Sequence, residues 1–280
     1  MEMPALRRRR ILLKTNFCYR PLACQTPRGG ATVHREMMGD RLMERADSPL
    51  ARNLLRCDAL CAARRQVLTI AATKSIRSIG PRKDLVREGE SPKSIKVVLE
   101  GWVARYKQLP DGHRQILSLM IPGDICDANA FVLEQMDHSL GALTHVRYAE
   151  IARGDFETLV DEDPKLLKAL WWSEMVTASI QREWTANIGQ RQANARIAHL
   201  FCEMHTRLQG IGLADDDSFD FPLTQADLGE ATGLTAVHVN RTLQNLRKAG
   251  TIELRHKHVT VRDREKLWEI AMFDPAYLHG

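Results

Sequence analysis

FPLTQADLGEATGLTAVHVNRTLQNLRKAGTIELRHKHVTV, residues 221–261, carries the densest local signals of this 280-residue chain. Thr224 suits an N-cap, and Asp227 three residues later is an acidic near-match to a capping box. A first helix is expected over residues 225–232, with Leu228 and Ala231 on its buried face. Gly233 supplies the left-handed turn that most side chains resist. Thr235 then caps a second helix whose apolar stripe is Val239, Leu243 and Leu246 and which ends at Gly250. Its other face carries His238, Asn240, Arg241, Gln244, Asn245, Arg247 and Lys248, donors suited to phosphate oxygens and base edges. Residues 252–254 and 259–261 alternate as two strands joined around His256-Lys257-His258. Residues 236–264 hold seven Lys/Arg against two acids. Capped helix, glycine turn, capped helix and basic hairpin in that order argue for a winged helix-turn-helix that enters a major groove.

Composition bounds the rest. The length allows two modest domains with real cores. Hydrophobic (44%) and charged (27%) fractions fit a soluble globular chain, and no apolar run approaches the length of a membrane span. The formal charge of +5 is uneven: residues 1–36 hold eight Lys/Arg and two acids, a net +6, which leaves −1 for the remainder. Residues 1–46 read as a basic, disordered arm, or as sequence ahead of a true start at Met37, Met38 or Met43. The sharper alternative is an arm that touches DNA phosphates. The arginines at 7–10 precede only Ile11-Leu12-Leu13 before Lys14, a poor fit to a secretory signal. Cys18, Cys24, Cys57, Cys61, Cys126 and Cys202 match no zinc or secreted-disulfide spacing, so reduced thiols in the cytoplasm are expected. Cys57, Cys61 and Cys126 are candidate redox thiols, weighed against small buried hydrophobes.

Residues 47–62 read as a short helix with Leu50, Leu54, Leu55 and Leu60 on its apolar face. From Val67 the period becomes that of strands. Residues 77–81 and 85–90 give a strand and then a Gly turn, ahead of two strands over 95–109 broken at Glu100-Gly101. Pro110-Asp111-Gly112 is a hairpin turn, 115–121 the returning strand, Pro122-Gly123-Asp124 another turn, and 144–152 a further strand. A helix starts at 155–160. Short strands with turns every eight to twelve residues argue for an antiparallel barrel or sandwich. Pro164 opens a long helix with no Gly or Pro before Gly189. Leu166, Leu170, Thr177, Ile180, Trp184 and Ile188 recur on it at three/four spacing, with Trp171, Trp172, Met175 and Val176 alongside. That stripe is too wide for one neighbour, so it is expected to meet both the β domain and a second copy. Residues 190–208 continue as a helix with Ile197, Leu200, Phe201 and Met204 inward, and 210–220 form an acidic loop and linker. The organisation expected is an arm (1–46), a β domain (47–162), a dimerisation helix (163–188) and a winged helix-turn-helix domain (189–280).

The run TQADLGEATGLTAVHVNRTLQNLRKAGTI resembles the helix-turn-helix signature of the Crp/Fnr family of winged-helix transcription regulators. The likeness extends upstream to about Leu54 through LEGWVARYK, PDGHRQILSLMIPGD and ARGDFETLV. It implies an α+β fold: an N-terminal antiparallel β-roll like a cyclic-nucleotide-binding domain, a long helix pairing across a two-fold axis, and a C-terminal winged helix-turn-helix. It implies a non-enzymatic homodimer on a palindromic operator in double-stranded DNA. RNA polymerase is an implied partner, with residues 210–220 as one surface for it beside the plainer reading of a solvated loop. The family reads bases through a Glu two residues after the capping Ser/Thr and an Arg four residues further on. Thr235 matches the cap and Arg241 the Arg, which makes Arg241 the candidate for a bidentate guanine contact. Val237 stands at the Glu position and accepts no hydrogen bond; it meets a thymine methyl, or His238 and Asn240 beside it take over base reading. Gln225, Thr235, Arg247, Lys257 and His258 are the expected phosphate contacts.

The same resemblance frames the effector. Cyclic-nucleotide members hold the ligand phosphate with a Gly-Glu turn and a nearby Arg. Here Gly123 is followed by Asp124-Ile125-Cys126-Asp127, and residues 115–146 contain neither Lys nor Arg. Cyclic AMP is therefore not expected. An iron–sulfur cluster is not expected either, because residues 146–151 lack the cysteine that oxygen-sensing relatives carry there and Cys57 and Cys61 are spaced for a helix face. His113, His138 and His145 follow no spacing rule and leave haem open. Two rival classes remain. A cupin-like metal enzyme needs clustered His/Glu ligands, yet no His-x-His occurs between Val67 and Ile151; a partner- or ligand-binding β-roll with DNA binding lost is the other.

Overall fold

The computed structural model describes Arg52, residues 75–127 and residues 134–279. The expected arm, Cys18, Cys24, Cys57, Cys61 and the helix read at 47–62 lie outside the described residues, except for Arg52, which is helical. Two four-stranded antiparallel sheets make the first half. One runs β1 (Ile76–Ile79), β8 (Val146–Ala152), β3 (Ser94–Glu100), β6 (Ile125–Cys126); the other runs β2 (Asp84–Val86), β7 (Ser139–Ala142), β4 (Val103–Gln108), β5 (Arg114–Met120). Between β3 and β4 the chain turns at Gly101, where φ is 85° and a Cβ would lie 2.2 Å from the His145 carbonyl oxygen. Only glycine fits that approach.

Val98, Val103, Leu140 and Val146 fill the interior of the roll. On the far side of its first sheet, Ile95, Val97 and Ile151 pack with Leu166, Phe156 and Trp172 from α1 (Arg153–Glu162) and α2 (Pro164–Gln190). β6 and β7 escape the sequence reading. One is two residues long, the other (SLGA) has no β-branched residue, and both are recruited by partners distant in sequence, β3 and β4.

α2 buries Leu166, Leu170, Ile180 and Trp184, and half-buries Thr177 and Ile188. Leu167, Trp171 and Met175, four residues apart, stand 40%, 67% and 61% exposed along one stripe. The expected continuation at residue 190 breaks: α3 (Ala193–Gly210) starts only after Gln192, whose ψ of 162° is extended. The Arg196 side chain satisfies the freed Arg191 carbonyl at 2.8 Å, which lets the chain turn there. Ile197, Leu200, Phe201 and Met204 of α3 are all buried.

Residues 210–220 are more than a linker. Ile211 and Phe219 are buried, and β9 (Ser218–Asp220) extends the wing of β10 (Ile252–Arg255) and β11 (His258–Val261) into a three-stranded sheet, β10-β11-β9. Phe221 meets Phe201 and Phe219 edge-on and also Trp102 from the roll, with ring centroids 5.0, 6.1 and 5.8 Å away. One hydrophobic core therefore runs from the roll into the C-terminal half. There α4 (Gln225–Thr232) and α5 (Ala236–Lys248) form the two expected helices, and α6 (Arg264–Ala271) with a final 3₁₀ turn (Pro275–Leu278) closes on α3 and α2.

The packing between α4 and α5 depends on Gly229, where a Cβ would stand 2.5 Å from the Leu234 carbonyl oxygen. Gly229→Ala is expected to lower stability by about 1–3 kcal/mol, despite the better helix propensity of alanine. Gly80→Ala, where a Cβ meets nothing within 4 Å, should stay within about 0.5 kcal/mol. Denaturant midpoints of the two variants check this.

Candidate nucleic-acid interface

Thr224 opens α4 with a complete reciprocal box. Its Oγ1 accepts from the Asp227 N–H at 3.2 Å, while Asp227 Oδ2 accepts from the Thr224 N–H at 2.9 Å. Gly233, at φ 66° and ψ 34°, ends the helix, and the Gly229 carbonyl accepts the N–H groups of both Gly233 and Leu234. Thr235 caps α5, taking the His238 N–H at 3.3 Å. Because Val239, Thr242, Leu243 and Leu246 are buried, the opposite face of α5 turns outward. Val237 is 79% exposed, and His238, Asn240, Arg241, Gln244 and Asn245 are exposed beside it.

The expected contact residues are not equivalent in this setting. Arg241 makes no hydrogen bond or ion pair with any described residue. Asn240 Nδ2 lies 3.5 Å from Gln225 Oε1, so the first turn of α4 and the outer face of α5 form one surface. Thr235 Oγ1 is 3.2 Å from His238 Nδ1. Arg247 donates to the Leu254 carbonyl at 2.9 Å and ties α5 to the wing. His256 and Lys257 are the two central residues of the wing turn, with φ of 49° and 64°, which matches a type I′ hairpin and projects Lys257 at its tip. His258 Nδ1 sits 2.8 Å from Asp220 Oδ1, which leaves Nε2 as the ring nitrogen that can meet a phosphate.

The roll reaches this surface from behind. Arg82 Nη1 and Nη2 donate to Asp227 Oδ1 and Oδ2 at 2.7 and 3.0 Å. Arg114, whose guanidinium stacks 5.0 Å from the Tyr106 ring centroid, donates to Glu230 Oε2 at 2.7 Å, and Gln115 Nε2 donates to the Glu230 carbonyl at 2.6 Å. Burial pushes the Asp227 carboxyl up, but the bonds from Arg82 and Thr224 outweigh that and hold it below the ordinary carboxylate range. Sequence reasoning missed this clasp, because nothing local marks a pairing across 145 residues.

A cavity of about 570 Å³ lies between the roll and α2, bordered by Arg105, Asp127, His138, Thr177, Gln181 and Trp184. Residues 115–146 do lack Lys and Arg, but the roll brings Arg105 in from β4. Its Nη2 donates to Asp127 Oδ1 at 2.6 Å. His138 Nε2 lies 3.1 Å from Asp127 Oδ2, and its Nδ1 lies 2.6 Å from Asp137 Oδ1. Burial pulls the His138 pKa down, yet the two carboxylates leave it raised overall. Arg105 Nε is buried without a partner. His113 and His145 are exposed, and only His138 borders the cavity. Among the described residues no group of three His, Cys, Asp or Glu is placed to hold a metal ion. Cys126 is buried with its Sγ 3.3 Å from Met120 Sδ, and burial pushes its thiol far up, away from thiolate chemistry.

Comparison with known proteins bears on both halves. Residues 195–270 match the family profile of the Crp-like helix-turn-helix domain, and residues 76–163 match that of the cyclic nucleotide-binding domain. The nitrogen fixation regulation protein FixK of Bradyrhizobium diazoefficiens is 26% identical over 223 residues, covering 78% of this chain and 91% of FixK. The transcriptional activator protein FnrL of Cereibacter sphaeroides is 26% identical over 220 residues, 77% of this chain and 86% of FnrL. The chain belongs to the Crp/Fnr family. The solved structure of FixK2 from Bradyrhizobium japonicum shares its fold, with a TM-score of 0.63 at 24% identity over 70% of this chain and 96% of FixK2. This Crp/Fnr protein is a DNA-binding transcription regulator, and no helix among its described residues is long and apolar enough to cross a membrane.

In this Crp/Fnr regulator the Asp227 clasp has a definite pH signature. Its folded pKa lies below an unfolded value near about 3.9, so its stabilisation is complete above about pH 4 and is lost as pH falls through the lower folded value. Asp227→Asn is expected to cost about 1–3 kcal/mol at pH 7. The gap in denaturant midpoint between the variant and the native chain should narrow below about pH 4.

Proposed function

We propose that this regulator acts as a homodimer on a palindromic operator, each protomer laying α5 in the major groove. The observation that carries the reading is Arg241, exposed and without a partner among the described residues, on the outward face of a Thr235-capped helix. Arg241 reads a guanine edge; Val237 meets a thymine methyl; His238 and Asn240 reach neighbouring base edges. Gln225, Thr235, Arg247 and Lys257 engage phosphates, and His258 does so through Nε2. The dimer is supported by Leu167, Trp171 and Met175, a stripe of large apolar side chains on α2 that a second copy would cover. Cyclic AMP is not the effector in this reading, because the two cations at the cavity, Arg105 and Lys107, are already committed to Asp127 and to Glu88. The protein works without catalysis in the cytoplasm, where RNA polymerase meets the bound dimer, and the exposed acidic tip at residues 215–217 is one surface for that meeting. The domain plan is a basic arm (1–46), the β-roll sensor (47–162), the dimerisation helix (163–188) and the DNA-binding domain (189–280).

Arg241→Ala is expected to cost about 1–3 kcal/mol of operator binding and to relax preference at one base pair. Lys257→Gln should weaken all sequences alike and reduce the salt slope by about one. Binding selections and salt titrations separate the two; full specificity in Arg241→Ala would remove its assignment. Trp171→Glu combined with Met175→Glu should give a monomer by sedimentation with weakened operator binding, whereas an unchanged dimer would refute the pairing face.

A further inference from the structure

Glu203, on α3, has no solvent exposure. Its carboxylate is held from three directions. Trp184 Nε1 on α2 donates to Oε2 at 2.9 Å, the Tyr277 hydroxyl in the final 3₁₀ turn donates to the same oxygen at 2.9 Å, and Arg207 Nη1 donates to Oε1 at 3.2 Å. The other end of the Arg207 guanidinium, Nη2, donates to Asp124 Oδ2 at 2.7 Å. Asp124 occupies the roll's turn just before β6, its backbone carbonyl accepts from the Val98 N–H at 3.0 Å, and three residues later the chain reaches Asp127 at the cavity.

Trp184 borders that same cavity with its ring while its N–H is committed to Glu203. The cavity is thus joined to the DNA-binding domain by two routes that converge on one carboxylate. The first passes through Trp184, the second through Asp127, the β6 turn, Asp124 and Arg207. A fully buried carboxylate does not give up a donor freely, because the group left unpaired has no water to turn to. A displacement of Trp184 or of the β6 turn at the cavity must therefore be answered by α3 or by the C-terminal turn at Tyr277. α3 carries Ile197, Phe201 and Met204 into the core on which α4 and α5 rest.

We propose that Glu203 is the relay between the cavity and the recognition helix, with Trp184, Tyr277 and the Arg207–Asp124 pair as its arms. The inference rests on the DNA-binding reading and adds to it the residues that carry the coupling. Coupling between two sites is reciprocal, so DNA itself serves as the probe and no cavity ligand is needed.

The experiment uses the full chain and a duplex that the native protein selects from random sequence, with amide hydrogen exchange followed in peptides spanning residues 121–127 and 136–142. In the native protein the duplex is expected to change exchange at these cavity-side segments by about fivefold or more, the lower end of ordinary allosteric coupling. In Trp184→Phe and Tyr277→Phe, which keep a packed ring and remove only a donor, the duplex should still bind while the response at the cavity is clearly diminished. Glu203→Gln should behave the same way. A response that persists undiminished in these variants, even with a lowered thermal midpoint, would show a structural role only and overturn the relay. So would a native protein that binds the duplex with no response at the cavity. A native chain that binds no duplex at all would overturn the DNA-binding reading, and the relay with it.

Discussion

The carboxylate of Asp227 has to satisfy three neighbours at once, one of them Arg114, whose Nη2 donates to Oδ1 at 3.4 Å. Within its own helix it accepts the Thr224 N–H and completes the cap; across 145 residues it accepts both terminal nitrogens of Arg82. The side chain is only 3% exposed, whereas that of Arg82 is 50% exposed. The half-exposed arginine gains little from the pair, on the order of 1 kcal/mol at most, but an unpaired charge at Asp227 would cost several times that. The clasp is therefore chiefly geometric in its effect. It fixes the first turn of α4 against the loop before β2, while Arg114 and Gln115 fix Glu230 one turn later. With Gly229 pressed against Leu234, α5 follows α4, and the outward face bearing Arg241 is aimed by the roll.

The reading head was legible in the sequence because each of its signals is local. The Thr224–Asp227 box, Gly233 and the Thr235 cap span three or four residues apiece, and the buried stripe of α5 follows from helical spacing alone. The hairpins of the roll were legible for the same reason, through Gly101 and the turn at residues 110–112. What could not be read is what forms between distant segments. β6 and β7 have too little strand character of their own and exist because β3 and β4 pair with them. β9 was hidden inside an acidic run, where Phe219 is the strand residue that buries it. Arg105 escaped because it lies outside residues 115–146, the contiguous stretch around the Gly123 turn, and the sheet brings it in from β4. Glu203 offered no local signal, because two of its three donors, Trp184 and Tyr277, lie far from it in the chain.

Matching the profile of the cyclic nucleotide-binding domain describes the roll's architecture rather than its ligand. The chemistry at the cavity is specific to this chain. Arg105, Asp127, His138 and Asp137 form a line in which each member already has a partner. An incoming anion must compete with Asp127 for Arg105, in a setting where a displaced buried carboxylate is costly.

α2 serves three surfaces at once, and this links the parts. One face borders the cavity through Thr177, Gln181 and Trp184; Trp184 also holds Glu203; a third face leaves Leu167, Trp171 and Met175 in solvent. Fully burying a large apolar side chain is worth about 1.5–3 kcal/mol, and these three are already partly covered, so each gains roughly 1 kcal/mol in a paired helix. Doubled by symmetry, the stripe supplies on the order of 6 kcal/mol, near the low end of the about 4–15 kcal/mol that association costs. The proposed pairing is thus close to balanced on this stripe alone. A palindromic duplex that holds two recognition helices supplies the missing effective concentration, so dimerisation and operator binding reinforce each other. Because the pairing face and the cavity wall belong to one continuous helix, a partner on the first constrains the second.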